Sequence, residues 1–397
     1  MAVQDDAVRL PQQHSSFIYD PRIRSIVFQA MLVIALIVFF GWIASNTIVN
    51  LRRAHIASGF GFMWARAGFD ISQSLIPYTA EMSYGRAFLV GLLNTVLVAA
   101  LGIVFATIIG FTLGIARLSK NWLIAQIATV YVETLRNIPV LLQLLFWYKA
   151  VLSILPGPRQ GFSLPLGGNL SNRGLIIPRL ILQEGFLATA VAIAVAIVAI
   201  ALLARWAHRR RMATGEAFPT FWVGLGILIL LPTVVFLATG RPASLEFPQL
   251  QGFNFVGGTD IKPEFVALLL GLSLYTATYI GEIVRAGVLA VAHGQTEASY
   301  ALGLRPGTAL RLVIIPQAMR VIIPPLTSQY LNLTKNSSLA VAVGYPDLVS
   351  VFSGTVLNQT GQAVEVIFIT MLVYLAVSLA TSSFMNWFNQ RVALVER

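Results

Sequence analysis

The chain contains no cysteine, and this absence excludes disulfide bonds and thiolate metal sites. Charge is also scarce, because only 11% of the 397 residues are Asp, Glu, Lys or Arg while 57% are hydrophobic. A soluble domain cannot bury so large an apolar fraction, so the lipid bilayer must surround part of the protein. The composition therefore predicts an all-α, polytopic integral membrane protein.

Several motifs of enzyme chemistry are also missing. The sequence has no phosphate-binding loop of the form GxxxxGKS or GxxxxGKT, no HExxH, no His/Cys cluster and no nucleophile elbow. We therefore expect no catalytic residue, no metal site and no cofactor in this chain. The net charge of +11 would indicate nucleic acid in a soluble protein. Here the basic residues lie between apolar segments, so the expected partner is the anionic membrane surface.

Long apolar segments are what the sequence does contain, and they predict eight membrane spans. The spans lie at 26–43, 87–116, 122–155, 186–203, 221–239, 264–291, 318–343 and 363–388. Eight crossings put both termini on one side, and the basic cluster at 205–211 places that side in the cytoplasm by the positive-inside rule. Small residues in the second span (Gly91, Gly102, Gly110, Gly114) predict close helix contacts. Loops are predicted at 156–179 and 240–263, and again between 343 and 362.

Two spans each carry a glutamate followed three residues later by an arginine. Glu133 and Arg136 lie in the third span, and Glu282 and Arg285 lie in the sixth. Each pair shares a helix face, on which the two charges can pair. An unpaired charge at a helix centre costs roughly 2.5–3.5 kcal/mol even on insertion scales, so these side chains should face protein or a watery cavity. They form either a gate in a transport path or an ion-pair network that sets helix register.

Pro139 should break or kink the third span, because proline removes a backbone donor and clashes with the preceding turn. Asn137 can satisfy some of the freed backbone groups, and Gln143 lies about one turn beyond the proline. The break is either a plain proline kink or part of a gate.

A second polar break interrupts the seventh span at Lys335, Asn336, Ser337 and Ser338. Irregular backbone at membrane depth is tolerated where protein buries it or where it lines a cavity. These side chains suit the carboxylate of a free amino acid, and Glu282 could accept from its ammonium group. The alternative is a turn at the outer interface, with Lys335 extended towards the headgroups.

The connector at 294–316 has more pattern than a simple loop between two spans needs. It contains Glu-Ala-Ser at 297–299, Gly303, and Val-Ile-Ile-Pro at 313–316. This spacing resembles the EAA motif of importer-type ABC permeases, with a serine in place of the second alanine and V-x-I in place of I-x-L. The small side chains would make a slim helix that can enter a cleft, and the glycine can turn the chain after it.

Other segments extend the resemblance over about 86–388. Residues 131–145, 279–297 and 316–339 are similar to the polar amino-acid uptake branch of this family. About a hundred additional residues at 156–263, including two plain spans, look more like the general L-amino-acid permeases. The expected organisation is a cytoplasmic tail (1–25), a first helix with its periplasmic loop (26–85), the permease domain (86–388) and a cytoplasmic tail (389–397).

The resemblance implies the type I ABC importer permease fold and a multi-pass protein of the bacterial inner membrane. It implies a homologous permease subunit in a heterodimer, two ATP-binding subunits that hold ATP and Mg, and a periplasmic amino-acid-binding protein. The residues implied to couple to the ATPase are Glu297, Ala298, Ser299, Gly303 and Pro316. The expected activity is ATP-driven import of L-amino acids. The alternative is a self-sufficient ion-coupled secondary transporter that uses the charged pairs and Lys335.

Overall fold

The computed structural model describes residues 21–53, 58–252 and 254–392, and most of these residues are helical. The predicted tails at 1–25 and 389–397 fall mainly outside the described residues. The helices are α1 (Pro21–Arg53), α2 (Tyr84–Arg117), α3 (Trp122–Asn137), α4 (Val140–Leu145), α5 (Phe186–Thr214), α6 (Thr220–Ala238), α7 (Pro263–Leu289), α8 (His293–Ala301), α9 (Pro306–Ala309), α10 (Ile315–Asn336), α11 (Leu357–Thr360) and α12 (Ala363–Val392).

Seven of the described helices are long and apolar enough to cross a membrane. An eighth span results if the bent pair at Trp122–Asn137 and Val140–Ile154 counts as one. The predicted polytopic all-α class is therefore confirmed, and the seven or eight candidate spans agree with the predicted number of about eight. The first span is longer than predicted, since the apolar helix covers Ile23–Asn50 and not only 26–43.

Close packing between α2 and α7 forms the centre of the molecule. A Cβ atom at Gly110 would lie 2.6 Å from Ile280 Cβ, and one at Gly114 would lie 2.7 Å from Gly281 O and from Val284 Cβ. The two helices therefore touch along a stripe where α2 has no side chains, as the glycine spacing predicted. Buried residues of α10 complete this core, among them Ile322, Ile323 and Leu333.

The two ends of α7 define two ends of the molecule. The helix α7 has 27 residues, so it is about 40 Å long. It begins directly after the last strand and ends four residues before α8. We call these the strand end and the α8 end. The helix α2 runs parallel to α7, because its C-terminal glycines meet the C-terminal half of α7.

The inserted region contains short strands where the sequence predicted irregular loops. They are β1 (Phe162–Leu164), β2 (Gly168–Ser171), β3 (Gly174–Ile177), β4 (Arg179–Leu182), β5 (Ala243–Glu246), β6 (Gln249–Gln251), β7 (Asn254–Val256) and β8 (Thr259–Ile261). All pairs are antiparallel, in one sheet of order β1-β2-β3-β8 and two hairpin-like pairs, β4-β5 and β6-β7. The loop prediction failed because strands of three or four residues between Gly and Pro leave no visible period.

Pairing of β4 with β5 closes the base of a helical hairpin made by α5 and α6. Gln183 N donates to Pro242 O at 2.9 Å at that base. The buried small residues of α5, Thr189, Ala192 and Ala196, let α6 pack closely against it. The turn between the two helices therefore lies away from the strands, together with the basic cluster at 205–211.

The segment between α10 and α12 is helical, whereas the sequence predicted a loop there. A 3-10 turn covers Ser337–Val343 and π-helical turns cover Val349–Val356. The second of these buries Phe352 and Val356 against α2, α12 and the segment before α2. The prediction failed because polar residues are interspersed with the apolar ones in this segment. Its apolar face is recognised only from the helices that pack against it.

Candidate functional site

A cluster of charged side chains joins α2, α3 and α7 near the α8 end. Arg117, at the end of α2, donates through Nη1 to Glu282 Oε2. Arg285 Nη2 donates to the other oxygen of the same carboxylate, Glu282 Oε1, at 2.7 Å. The Glu282–Arg285 pair predicted from the spacing is therefore confirmed. The structure adds Arg117, the last residue of α2, to this cluster.

The other predicted pair is held differently. Glu133 Oε1 lies 4.0 Å from Arg117 Nη2. The Arg136 guanidinium lies over the ring of Tyr279, 5.2 Å from its centroid. Both side chains turn towards neighbouring helices, where a cation and an aromatic face are within reach. The expectation of an ion pair within α3 is therefore corrected to contacts between helices.

Burial decides which of these contacts is strong. The Arg117 side chain is 10% exposed and that of Glu282 is 27% exposed, whereas that of Glu133 is 68% exposed. An exposed pair contributes about 0–1 kcal/mol, and a partly buried charge-assisted hydrogen bond contributes more. The Arg117–Glu282–Arg285 triad therefore holds the α8 ends of α2 and α7 together.

These charges surround a cavity of about 440 Å³. Its lining residues are Arg117, Val132, Glu133, Arg136, Asn137, Glu282 and Arg285. Three guanidinium groups and two carboxylates leave one positive charge in excess. Within the described residues, Arg117 Nε and Arg285 Nε are buried donors without a hydrogen-bond partner. The excess positive charge suits water or a small anionic group, such as a carboxylate, in this cavity.

The predicted break at Pro139 bends the chain by 106° between α3 and the helical segment that follows. The freed carbonyl groups are satisfied mainly by Gln143, whose Nε2 donates to Leu135 O at 2.7 Å and to Ile138 O at 3.0 Å. Asn137 Nδ2 donates to Glu133 O at 2.8 Å. Gln143 is buried, so the bend is a rigid corner held from inside the protein and not a loose hinge.

The polar break at 335–338 ends α10 and begins a 3-10 turn. Ser337 is fully buried, and its hydroxyl donates to Thr334 O at 2.7 Å. Ser338 Oγ donates to Lys335 O at 2.7 Å. Lys335 and Ser338 line a cavity of about 470 Å³ together with Tyr374 of α12. The hydroxyl groups therefore already satisfy the end of α10, and Lys335 is the free cation of this second cavity within the described residues.

A buried carboxylate that the sequence did not reveal lies beside this second cavity. Asp347 is 0% exposed. Its Oδ1 accepts from Ser350 N at 2.8 Å, and its Oδ2 accepts from Tyr374 Oη at 3.2 Å. Burial raises the pKa of Asp347 from 3.8 to about 7, although these hydrogen bonds oppose the shift. Only its place between two packed helices distinguishes this residue from an ordinary turn aspartate.

The two cavities lie at different depths along α2. Gly102 touches Leu333 of α10, whereas Gly114 touches Gly281 of α7. Those two levels are about 18 Å apart along a straight helix. One small solute therefore cannot contact Glu282 and the 335–338 segment together in this conformation. The expected joint role of these residues in one substrate pocket is corrected to two separate cavities.

The connector that carries the 297–303 pattern forms a short, separate helix, α8, outside the packed core. Glu297 is largely exposed, and its Oε1 lies 3.0 Å from His293 Nδ1. Ala298 is exposed, whereas Ser299 is buried and its Oγ donates to Gln295 O at 2.6 Å. The exposed fractions of Tyr300 and Leu302 are 50% and 81%, so α8 presents apolar side chains beside a carboxylate.

Gly303 ends α8 in a Schellman motif. Gly303 N donates to Tyr300 O at 2.9 Å and Leu304 N donates to Ser299 O at 3.1 Å. The φ angle of Gly303 is +78°, a conformation that favours glycine. The chain then turns into α9, and Pro316 lies in the first turn of α10. The predicted sharp turn after a slim helix is therefore present.

No group of three or more His, Cys, Asp or Glu side chains within residues 21–53, 58–252 and 254–392 could hold a metal ion. Sequence reasoning missed Arg117, Tyr279, Asp347 and Tyr374 as members of polar clusters. Arg117 carried one usable signal, since it ends a span whose glycine stripe predicts a close neighbour. The others become visible only when the neighbouring helix is known.

Comparison with known proteins finds a family, relatives and a solved structure that are similar to this chain. The family described as "Binding-protein-dependent transport system inner membrane component" matches residues 203–394. The General L-amino acid transport system permease protein AapQ of Rhizobium johnstonii is 54% identical over 96% of this chain and 95% of the relative. The Glutamate/glutamine/aspartate/asparagine transport system permease protein BztB of Rhodobacter capsulatus is 42% identical over 100% of both chains. The solved structure described as "Crystal structure of an amino acid ABC transporter with histidines" is also similar to this chain. The alignment covers 78% of this chain and 95% of the chain in that structure, with 20% sequence identity and a TM-score of 0.46.

Proposed function

Because the chain belongs to the family of binding-protein-dependent transport system inner membrane components, we propose that it is the permease subunit of an ABC importer for L-amino acids. Relatives that match over nearly its whole length are named as amino-acid transport permeases. It is therefore a transport component and not an enzyme. The relatives give no support to the alternative of a self-sufficient ion-coupled transporter.

The observation that carries the mechanism is the exposed helix α8. It follows α7 closely and is joined to α10 through α9 and residues 310–314, so movement of α8 would be passed along the chain to both core helices. Glu297, Tyr300 and Leu302 offer a carboxylate and two apolar groups to a partner. We propose that an ATP-binding subunit docks here, through Glu297–Gly303, and that ATP and Mg are bound in that subunit.

The remaining partners follow from the importer class. A homologous permease subunit in a heterodimer, a second ATP-binding subunit and a periplasmic amino-acid-binding protein complete the proposed assembly. The exposed apolar faces of α2, α10 and α12, at residues such as Ile108, Val321 and Leu375, leave area for a second permease and for lipid.

The proposed orientation places the α8 end in the cytoplasm of a bacterial inner membrane. Both α8 and the basic residues Arg209, Arg210 and Arg211 lie at ends remote from the strands. Their placement on one side agrees with the positive-inside rule. With eight spans, both termini are then cytoplasmic, and the strands face the periplasm.

We further propose that the charged cluster is the cytoplasmic gate of the path. The residues assigned to it are Glu133, Arg136, Asn137, Glu282 and Arg285, with Arg117 added. Its ion pairs cross between α2, α3 and α7, so a relative movement of these helices would break them and open the cavity. In the 335–338 segment, Lys335 and Ser338 stay a candidate lining further along the path, with Lys335 available for a carboxylate, whereas Ser337 is buried and Asn336 is not among the lining residues.

The docking proposal is tested with Glu297→Ala in the purified chain together with its ATP-binding subunit, periplasmic binding protein and partner permease. Loss of the carboxylate at the proposed interface should lower ATP-driven amino-acid uptake by about tenfold or more, the effect of one charge-assisted hydrogen bond. Glu216→Ala is the matched control, since Glu216 is an equally exposed carboxylate at the same end, with 69% against 70% of the side chain exposed. Equal uptake by both variants would contradict docking at α8.

The same preparation tests the class of transporter. The complete assembly should take up amino acids only with ATP. Uptake by this chain alone, driven by an ion gradient in proteoliposomes, would contradict the importer assignment.

A further inference from the structure

A polar cavity of about 500 Å³ lies at the strand end, where the inserted region meets the start of α7. Its charged lining residues are Arg173, Asp260, Lys262 and Glu264. Apolar groups of Ile176 and Phe255 also line it. None of these residues belongs to the charged cluster or to α8. Glu264 at this cavity lies about 27 Å from Glu282 of the charged cluster along α7.

The turn between β2 and β3 brings Arg173 to this cavity. Gly174 has a φ angle of +108°, and a Cβ atom there would lie 2.2 Å from Ile261 O and 2.9 Å from Pro263 N. The turn between β2 and β3 can therefore rest directly on the end of β8 only with glycine at this position. Pairing of β3 with β8 holds Arg173 beside the first turn of α7.

The charges around the cavity are not all neutralised. Lys262 Nζ pairs with Asp260 Oδ2. Tyr148 Oη donates to Glu264 Oε1 at 2.9 Å, and this hydrogen bond orients the carboxylate. Among the residues that the structure describes, the Arg173 guanidinium has no ion-pair partner. One cation and one anion therefore face the same cavity without contacting each other.

This arrangement matches a molecule that carries a carboxylate and an ammonium group on the same carbon atom. We propose that the cavity binds a free α-amino acid as its zwitterion, with Arg173 donating to the carboxylate and Glu264 accepting from the ammonium group. Arginine suits a carboxylate because its planar fork donates two parallel hydrogen bonds. Ile176 and Phe255 supply an apolar wall for the side chain.

The substrate class of this inference rests on the proposed function, but the site is additional to the transport path. Its two key residues come from different parts of the chain, Arg173 from the insertion and Glu264 from α7. An amino acid bound between them would tie the insertion to the first turn of α7. The insertion thereby supplies a binding site for the amino acid at the strand end of the molecule.

The test measures binding by saturation-transfer NMR to the full chain in phosphatidylglycerol nanodiscs, which contain no ethanolamine headgroup. The probes are L-alanine, propanoate, which lacks the ammonium group, and ethylamine, which lacks the carboxylate. L-alanine should bind about tenfold more tightly than either fragment, because each charge-assisted contact contributes about a factor of ten.

Two variants test which residue binds the carboxylate of L-alanine and which binds its ammonium group. Arg173→Gln should lower the affinity for L-alanine to that for ethylamine, and Glu264→Gln should lower it to that for propanoate. Arg179→Gln, an exposed arginine of β4 outside the cavity, is the matched control and should bind like the wild type. Tyr148→Phe keeps the carboxylate but frees it to rotate, and it should weaken L-alanine binding about threefold.

Two results would overturn the inference: a wild-type chain that shows no preference for L-alanine over the fragments, or L-alanine binding unchanged by both Arg173→Gln and Glu264→Gln. If one of these variants does not fold, two measurements still test the inference. They are the preference of the wild type for L-alanine over the two fragments and the affinity of Tyr148→Phe for L-alanine. ATP-driven uptake by the complete wild-type assembly is measured in parallel. Uptake without binding at the cavity removes only this inference, whereas absence of uptake removes the proposed function.

Discussion

Glu282 accepts hydrogen bonds from two arginines at once, and this makes it the residue on which the charged cluster depends. Replacing it by glutamine leaves Arg117 and Arg285 facing one neutral group. We expect Glu282→Gln to lower the free energy of unfolding by about 1–3 kcal/mol, the cost of leaving charged donors under-satisfied in a partly buried place. Thermal or denaturant unfolding in nanodiscs measures this.

The matched control for that change is Glu133→Gln. Glu133 lies in the same cavity, but its side chain is 68% exposed and 4.0 Å from Arg117. Its loss should cost less than about 1 kcal/mol. Equal losses for both variants would show that the triad is not the stable part of the cluster.

Asp347 predicts a dependence of stability on pH. Its pKa in the folded protein, about 7, lies above the ordinary value of 3.8, so the folded state binds the proton more tightly. Stability is therefore greatest when the carboxyl group is protonated, and it falls as the pH rises from about 4 towards 7. The loss is on the order of 1–4 kcal/mol.

Asp347→Asn tests this prediction, because the amide oxygen can still accept from Ser350 N while the group carries no charge. The variant should lose less stability than the wild type between pH 5 and pH 8, measured by unfolding at each pH. Asp70→Asn, at an exposed aspartate before α2, should keep the wild-type slope. A wild-type slope in Asp347→Asn would assign the pH dependence to another group.

At the scale of elements, contact between α2 and α7 positions the charged cluster. A Cβ at Gly114 would lie 2.7 Å from the backbone of Gly281 and from Val284. We expect Gly114→Ala to destabilise the protein by about 1–3 kcal/mol, because the two helices must separate to admit the methyl group. Separation would also lengthen the contact between Arg117 and Glu282.

Gly41→Ala in α1 is the control, since no atom lies within 4 Å of the added Cβ. Alanine there should be neutral or stabilise the helix by up to about 1 kcal/mol. Unfolding midpoints of both variants are compared with the wild type. A Gly114 variant as stable as the Gly41 variant would mean that the helices are not in close contact.

At the scale of the whole molecule, the α5–α6 hairpin is a separable addition. Its helices pack mainly on each other, and Gln183 and Pro242 are hydrogen bonded at its base. Deleting 184–241 and inserting Asn-Gly should therefore close β4 and β5 with a tight turn. The unfolding free energy of the remaining core should change by less than about 2 kcal/mol, because the closing loop is shorter.

Unfolding and co-purification with the ATP-binding subunit measure the outcome. Docking at α8 should survive, since α8 and the hairpin share no strand or helix. Aggregation of the shortened chain, or loss of docking, would show that the hairpin supports the core. Cleavage of the intact chain in the 215–219 turn, which keeps both helices, is the control.

The sequence alone determined the membrane class, the number of spans, the family resemblance and the position of the α8 turn. These properties depend on local composition, residue spacing and glycine geometry, which can be read from residues close together in the sequence. The corner at Pro139 and the Glu282–Arg285 pair were also predictable, because a proline inside a helix and charges three residues apart act within one or two turns.

Only the tertiary structure decided which partners each side chain has. Glu133 lies near Arg117 and Arg136 lies over Tyr279, so the two residues do not pair with each other. The 335–338 segment and the charged cluster lie about 18 Å apart along α2. The tertiary structure also paired short strands from both sides of the hairpin. Contacts between helices and strands far apart in the chain depend on direction and depth in three dimensions, and the one-dimensional spacing of residues does not carry that information.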